Sequence, residues 1–224
     1  IGMVFQYNTS MSEIRIFKGE KRKLEVVAEW LGAGSLNVFG RQFAGKDTYA
    51  KVLDPVLDAP VIGGGDTIRA AQAAGTLTPE IQVMLDAGKL IPSDDYRRMM
   101  MPVLGSDEYS GRPLLLSAVG RMFGEEVGVV RATQDAGHPI KAVPDVIISE
   151  ATAFDRLKNT PARGRKDDTP EGLRKRLDEF SEHTVPVLDF YKQQGLYLPV
   201  DGEQPKQKVF NELVDGLHEV AQAA

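Results

Sequence analysis

Ser35-Leu36-Asn37-Val38-Phe39-Gly40-Arg41-Gln42-Phe43-Ala44-Gly45-Lys46-Asp47-Thr48 is the stretch on which the fold turns. Its apolar run, Leu36–Phe39, predicts a strand, and the segment from Lys46 through Leu57 predicts a helix. Between them lies a glycine-framed loop that ends on a lysine. Strand, glycine loop, lysine and helix make a phosphate cradle. Backbone N–H groups at a helix N-terminus point at an anion, the macrodipole favours negative charge, and Lys46 neutralises phosphoryl oxygens. Thr48 offers a hydroxyl to Mg²⁺, one residue later than the usual Gly-Lys-Ser/Thr order.

Outward from that loop, short apolar runs alternate with helical patterns. Candidate strands are Leu36–Phe39, Pro60–Ile62, Pro113–Ser117, Asp145–Ser149 and Leu196–Val200. Strands bounded by turn residues and separated by helices predict a parallel α/β sheet covered on both faces. The clearest helix is Pro170–Gln193, with Asp168 or Thr169 as cap and the stripe Leu173, Leu177, Phe180, Val187, Leu188 and Tyr191. Pro186 is expected to kink it or break one turn. Arg174 and Arg176 lie off the stripe, free to face solvent or a ligand. Ahead of the loop, Leu24, Val27 and Leu31 share one face of a helix ended by Gly32 and Gly34, read as packed on the main domain.

The chain has 224 residues, enough for one good core, and a formal charge of −5, which leaves no electrostatic footprint for nucleic acid. It contains no cysteine, which removes disulfides, thiol catalysis and cysteine–zinc sites and fits a reducing cytoplasm. No apolar run approaches the length of a membrane span, and no secretory signal pattern is present. Residues ahead of Met3 or Met11 read as a remnant of expression and are left out of fold reasoning. The three histidines lack metal-ligand spacing and read as structural or surface groups, and Met99-Met100-Met101 reads as core or groove lining.

From Leu36 to its C-terminus the chain resembles the adenylate kinases, or more broadly the nucleoside monophosphate kinases. Gly40, Gly45, Lys46 and Thr48 match the family loop, and Gly64-Gly65-Asp66-Thr67-Ile68-Arg69 resembles its monophosphate-binding block. Asp86-Ala87-Gly88-Lys89-Leu90-Ile91, then Arg165-Lys166-Asp167-Asp168 with Arg174-Lys175-Arg176-Leu177, and Val200-Asp201-Gly202 with Gln204 follow in the family order. The resemblance implies a five-stranded parallel sheet flanked by helices, with a small helical monophosphate-binding insertion at about 63–92. It also implies a lid, here a short loop at about 158–165, all in a core of residues 35–224 behind an N-terminal extension and helix of residues 1–34.

By family position, ATP would meet Gly40, Phe43, Ala44, Gly45, Lys46, Asp47, Thr48, Arg156 and Gln204. The acceptor would meet Gly64, Gly65, Arg69, Lys89, Leu90, Ile91, Gly120, Arg121 and Glu125. Lys46, Arg121, Arg165 and Arg176 would carry the transfer, the last two closing from the lid side, because a planar guanidinium pairs bidentately with phosphate. The implied cofactor is Mg²⁺. The implied partners are ATP and AMP, with neither nucleic acid nor membrane, in a monomer or weak homo-oligomer.

This chain departs from the family at three positions. Ser117 stands where the family has an Mg²⁺-organising aspartate, and serine is a weaker, neutral ligand for a hard cation. Asp47 replaces the glycine between the loop lysine and threonine. It either supplies the missing acid to Mg²⁺ or its waters, or pairs with Lys51 or another cation. Glu125 replaces the glutamine that reads the acceptor base; a carboxylate only accepts, which suits guanine's two donors better than adenine's edge. The reaction expected is phosphoryl transfer from MgATP to AMP. A GMP or other monophosphate kinase, and a nucleotide-binding module with little turnover, are the alternatives.

Overall fold

The computed structural model describes residues 14–86, 92–159 and 168–224. Five strands form one parallel sheet: β1 (Ser35–Gly40), β2 (Val61–Gly63), β3 (Leu114–Ser117), β4 (Ile140–Ile147) and β5 (Tyr197–Asp201), in the order β2-β3-β1-β4-β5. Ten α-helices are present among the described residues: α1 (Lys18–Leu31), α2 (Lys46–Leu57), α3 (Gly64–Ala73), α4 (Pro79–Asp86), α5 (Ser93–Leu104), α6 (Glu126–Asp135), α7 (Glu150–Asn159), α8 (Pro170–Glu179), α9 (Val185–Gln193) and α10 (Lys206–Ala223).

The strand period of two sorts side chains to the two faces. Leu36 and Val38 of β1, Leu115 of β3 and Val146 of β4 join α1, α2 and α10 in one core cluster. Leu114 and Leu116 of β3 face the other way, into a cluster with Met99 and Met100 of α5 and Val129 of α6. Phe39 and Val143 meet Leu188 and Tyr191 of α9 on that same far side. Both faces are therefore covered, which is why these strands read as continuous apolar runs rather than alternating ones. Met99 and Met100 are core, as read.

Strand β4 begins at Ile140, five residues ahead of the expected Asp145–Ser149. Lys141 and Pro144 hid it. The Lys141 ammonium is satisfied by the Trp30 carbonyl and lies over the Trp30 ring, while a register shift in the β1–β4 pairing falls between Ser35 and Leu36. Pro144 has no N–H for the ladder, and pairing with β1 is regular again at Phe39 opposite Asp145.

The expected helix Pro170–Gln193 is α8 and α9 joined by a π-helical turn, Phe180–Thr184. Its cap is Thr169, whose hydroxyl accepts from Gly172 N–H at 3.0 Å, not Asp168. Pro186 cannot donate an i→i−4 bond, and a widened turn directly ahead of it absorbs the defect without ending the helix. The Val185 N–H reaches Phe180 O.

Helix α1 is part of the main core. Leu24, Val27 and Leu31 are buried in the same cluster as α10, and Lys23 pairs with Asp215 of α10 at 2.6 Å. The side chain of Gln207 holds the preceding extended segment by accepting from Arg15 N–H at 2.8 Å and donating to Arg15 O at 2.9 Å.

Candidate active site

The chain runs from β1 to β2 and β3 on one side, then crosses to β4 on the other. Loops therefore diverge at the C-terminal end of β1, the place where open α/β sheets bind ligands. The loop after β1 bends at Gly40 (φ 152°), where a Cβ would lie 2.9 Å from Val146 O. Phe43 takes a left-handed φ of 65°, a conformation that costs a non-glycine residue about 1–2 kcal/mol. Gly45 precedes α2 and provides no side-chain cap, so the positive end of that helix opens onto the loop.

Arg156 of α7 fixes this loop. Its guanidinium donates to Phe43 O at 3.0 Å, Ala44 O at 3.3 Å and Gly202 O at 2.7 Å. Arg41, a loop cation the sequence reading passed over, donates to Ile148 O at 3.2 Å and stands over the Phe180 ring.

At the mouth of the loop three side chains form a triangle. Lys46 Nζ donates to Asp47 Oδ1 at 2.7 Å and to Ser117 Oγ at 3.0 Å, and Ser117 donates to Asp47 Oδ1 at 2.6 Å. Ser117 closes β3, paired with Val38 of β1, so two of the three departures from the family touch each other where β3 ends beside the start of α2. The Asp47 side chain is 61% exposed, so its ion pair with Lys46 adds about 0–1 kcal/mol, while its position remains open to a ligand.

The loop after β3, residues 118–125, has no regular structure. Asn37, wholly buried in β1, donates to Val119 O at 2.9 Å and accepts from Val119 N–H at 3.2 Å. Tyr96 of α5 accepts from Gly120 N–H at 3.0 Å, and Thr184 of the π turn donates to Arg121 O at 3.1 Å. Burial drives the Tyr96 hydroxyl well above the ordinary tyrosine pKa, so it stays protonated. The Arg121 residue is exposed. Glu125 is buried and its Oε2 accepts from Met122 N–H at 3.3 Å, while Glu126 takes Gly124 N–H at 2.6 Å. Both carboxylates thus brace the loop. Tyr96 and Thr184 were invisible as site residues in the sequence, where Tyr96 joins the Met99–Met100 stripe and Thr184 interrupts a long helix.

On the opposite flank, Arg176 pairs with Asp168 at 3.1 Å, both side chains nearly buried, and Arg174 pairs with Glu150 at 2.5 Å above the Phe154 ring. The helix pattern left both free to face solvent or a ligand: Arg174 keeps a half-exposed side chain, while that of Arg176 is largely covered beside Asp168. Gln204 donates to Glu212, which also accepts from Asp201 N–H at 2.8 Å, so the turn after β5 is held from α10. Glu203 accepts from Thr152 Oγ1 and Ser149 N–H, and these bonds hold its carboxyl below the usual range. Gly64 begins α3 close to Ala118 O. Lys89, Leu90, Ile91, Arg165, Asp167 and nearly all of the lid interval lie outside the described residues. For Gly65 and Arg69 only the backbone, within α3, is described. His138 is buried with Nδ1 2.9 Å from Ala33 O, a structural contact.

A sequence model of the family described as adenylate kinase matches residues 38–196. The chain is similar to the adenylate kinase of a Cyanothece species, 32% identical over 176 residues that cover 78% of this chain and 90% of the relative. It is similar also to that of Xanthomonas euvesicatoria, 31% identical over 169 residues (75% and 90%), and that of Xylella fastidiosa, 30% identical over 184 residues (81% and 98%).

Proposed function

The chain belongs to the adenylate kinase family and is a phosphotransferase, and on that footing we propose that it moves the terminal phosphoryl group of MgATP reversibly to AMP, giving two ADP. The observation that carries this reading is the contact of the phosphate loop with the end of β3. Lys46 Nζ sits 3.0 Å from Ser117 Oγ, and the same loop that leaves Ser117 carries Arg121. In-line transfer needs two anionic phosphates brought to one point, and each of the two loops that meet here carries a cation.

In this reading the loop amides and Lys46 take the donor's β and γ phosphates. Arg69 and Arg121 take the acceptor's phosphate, and Arg165 and Arg176 close on the group in flight. Arg176 exchanges its Asp168 partner for phosphate as the lid side closes. Arg156 acts from behind, by fixing the carbonyls of the loop. The four arginines and Lys46 stabilise charge that develops during transfer, and no covalent intermediate is needed.

Asp47, Thr48 and Ser117 suit Mg²⁺. All are oxygen donors, and Asp47 Oδ1 and Ser117 Oγ are already 2.6 Å apart. That fits a hard cation that keeps several waters and shares the substrate's phosphates. When bound there, Mg²⁺ neutralises and aligns the donor phosphates. Asp47 thereby supplies from the loop the acid that Ser117 lacks. Glu125 Oε2 accepts from Met122 N–H, so the carboxylate that would favour guanine is partly engaged by its own loop.

The test is ADP formation from MgATP with AMP by purified protein, alongside the same assay for Lys46→Met. Turnover that Lys46→Met abolishes supports the reading. Absence of turnover in a protein that binds ATP overturns it.

A further inference from the structure

Arg121 is rooted in an irregular loop, yet a phosphate ligand must start from a fixed place. A 1 Å misplacement costs on the order of 100-fold in rate. Two buried hydroxyls, from elements far apart in sequence, meet the backbone at this residue and at the one before it. Tyr96 Oη, on a residue 3% exposed, accepts from Gly120 N–H at 3.0 Å. Thr184 Oγ1, on a residue 4% exposed, donates to Arg121 O at 3.1 Å. The path between these contacts has no slack. Gly120 has φ 67°, and a Cβ there would lie 2.2 Å from Val129 Cγ2, so the loop is pressed onto α6 where only glycine fits.

We propose that Tyr96 and Thr184 are positioning residues for the acceptor-phosphate site, clamping the backbone before and after the Arg121 Cα so that its guanidinium projects from a fixed root. Tyr96 stands on α5, just past the helices of the proposed monophosphate region. Thr184 stands in the π turn at the end of the helix that carries Arg176. The clamp therefore ties the Arg121 root to both flanks of the transfer point. The widened turn forced by Pro186 has a use here, because it contains the hydroxyl that reaches Arg121 O. This inference rests on Arg121 serving the acceptor's phosphate.

The test compares Tyr96→Phe, Thr184→Val, Thr184→Ser and Arg121→Ala in steady-state kinetics with AMP or MgATP varied, with AMP binding by calorimetry for each and for the doubles with Arg121→Ala. Tyr96→Phe and Thr184→Val are each expected to raise the KM for AMP about tenfold, from the lost tether on a buried Gly120 N–H or a part-buried Arg121 carbonyl, with the KM for MgATP within about twofold of wild type. Thr184→Ser keeps the hydroxyl and rescues. In the Arg121→Ala background neither substitution weakens AMP binding further. Equal rises in both KM values, or additive losses in that background, overturn the clamp. If Arg121→Ala is crippled while Tyr96→Phe and Thr184→Val match wild type, the clamp alone falls. If Arg121→Ala binds and turns over AMP as wild type does, the assignment of Arg121 falls and takes the clamp with it. Should Tyr96→Phe fail to fold, the Thr184 pair decides.

Discussion

Replacing Arg156 with alanine removes the strut that joins the phosphate loop to the turn after β5. Its guanidinium makes hydrogen bonds of 3.0, 3.3 and 2.7 Å to three carbonyls. A hydrogen bond from a charged group contributes a net of about 1.5–3 kcal/mol, the longest of the three contributes less, and Arg156 is only half-buried. Water will reach some of the released carbonyls. Together these give a loss of about 3 kcal/mol, which for a chain of this size lowers Tm by about 6–12 °C. Lysine keeps the charge but not the fork, so Arg156→Lys should recover less than half of the loss. Phe43 is held in its left-handed conformation partly through the same carbonyls, so the Kd for ATP should rise about tenfold with the loop unbraced. Thermal unfolding followed by circular dichroism, with ATP binding by calorimetry, measures both. If Arg156→Ala melts within about 2 °C of wild type, the strut argument is wrong.

Asp47→Gly should raise the Mg²⁺ concentration for half-maximal turnover about 10-fold or more and reduce by a similar factor the Mg²⁺-dependent gain in ATP affinity. Unchanged Mg²⁺ dependence in both would remove Asp47 from the cation's surroundings. Asp145 is buried in β4, where burial lifts its pKa above 3.8 despite the hydrogen bond from Tyr197 and the nearby charges of Lys192 and Arg41. The folded state therefore holds this proton more tightly than the unfolded chain, and the carboxyl costs stability as pH rises through the window above 3.8. The stability of Asp145→Asn relative to wild type, from denaturant unfolding, should grow between about pH 4 and pH 7; a flat or falling difference contradicts the sign.

The sheet and the donor loop were legible because local chemistry decides them. Apolar runs covered on both faces predict parallel strands, and Gly40, Gly45 and Lys46 announce an anion cradle wherever a strand precedes and a helix follows. The onset of β4 was not legible, because Lys141 and Pro144 look like breakers until Trp30 and the local register shift are known. In the loop after β3 the sequence singled out Arg121 and Glu125 but gave no sign of what holds the backbone at Gly120 and Arg121. Tyr96 lies 24 residues before Gly120, and Thr184 lies 63 after Arg121, separations over which side-chain pairing leaves no periodic trace. The meeting of Asp47 with Ser117, 70 residues apart, was anticipated only as chemistry; the pairing of β1 with β3 makes it a contact. That Arg174 and Arg176 lie off the apolar stripe was legible, but a helix wheel shows which face a residue is on, not that Glu150 and Asp168 wait there.

The most direct test of the central claim is coupled ADP formation from MgATP with AMP, GMP, CMP and UMP supplied separately. Robust turnover with AMP, and far less with the others, is the predicted result. Turnover only with GMP would return base recognition to Glu125, and turnover with none, in a protein that binds ATP, would contradict phosphoryl transfer to a nucleoside monophosphate altogether.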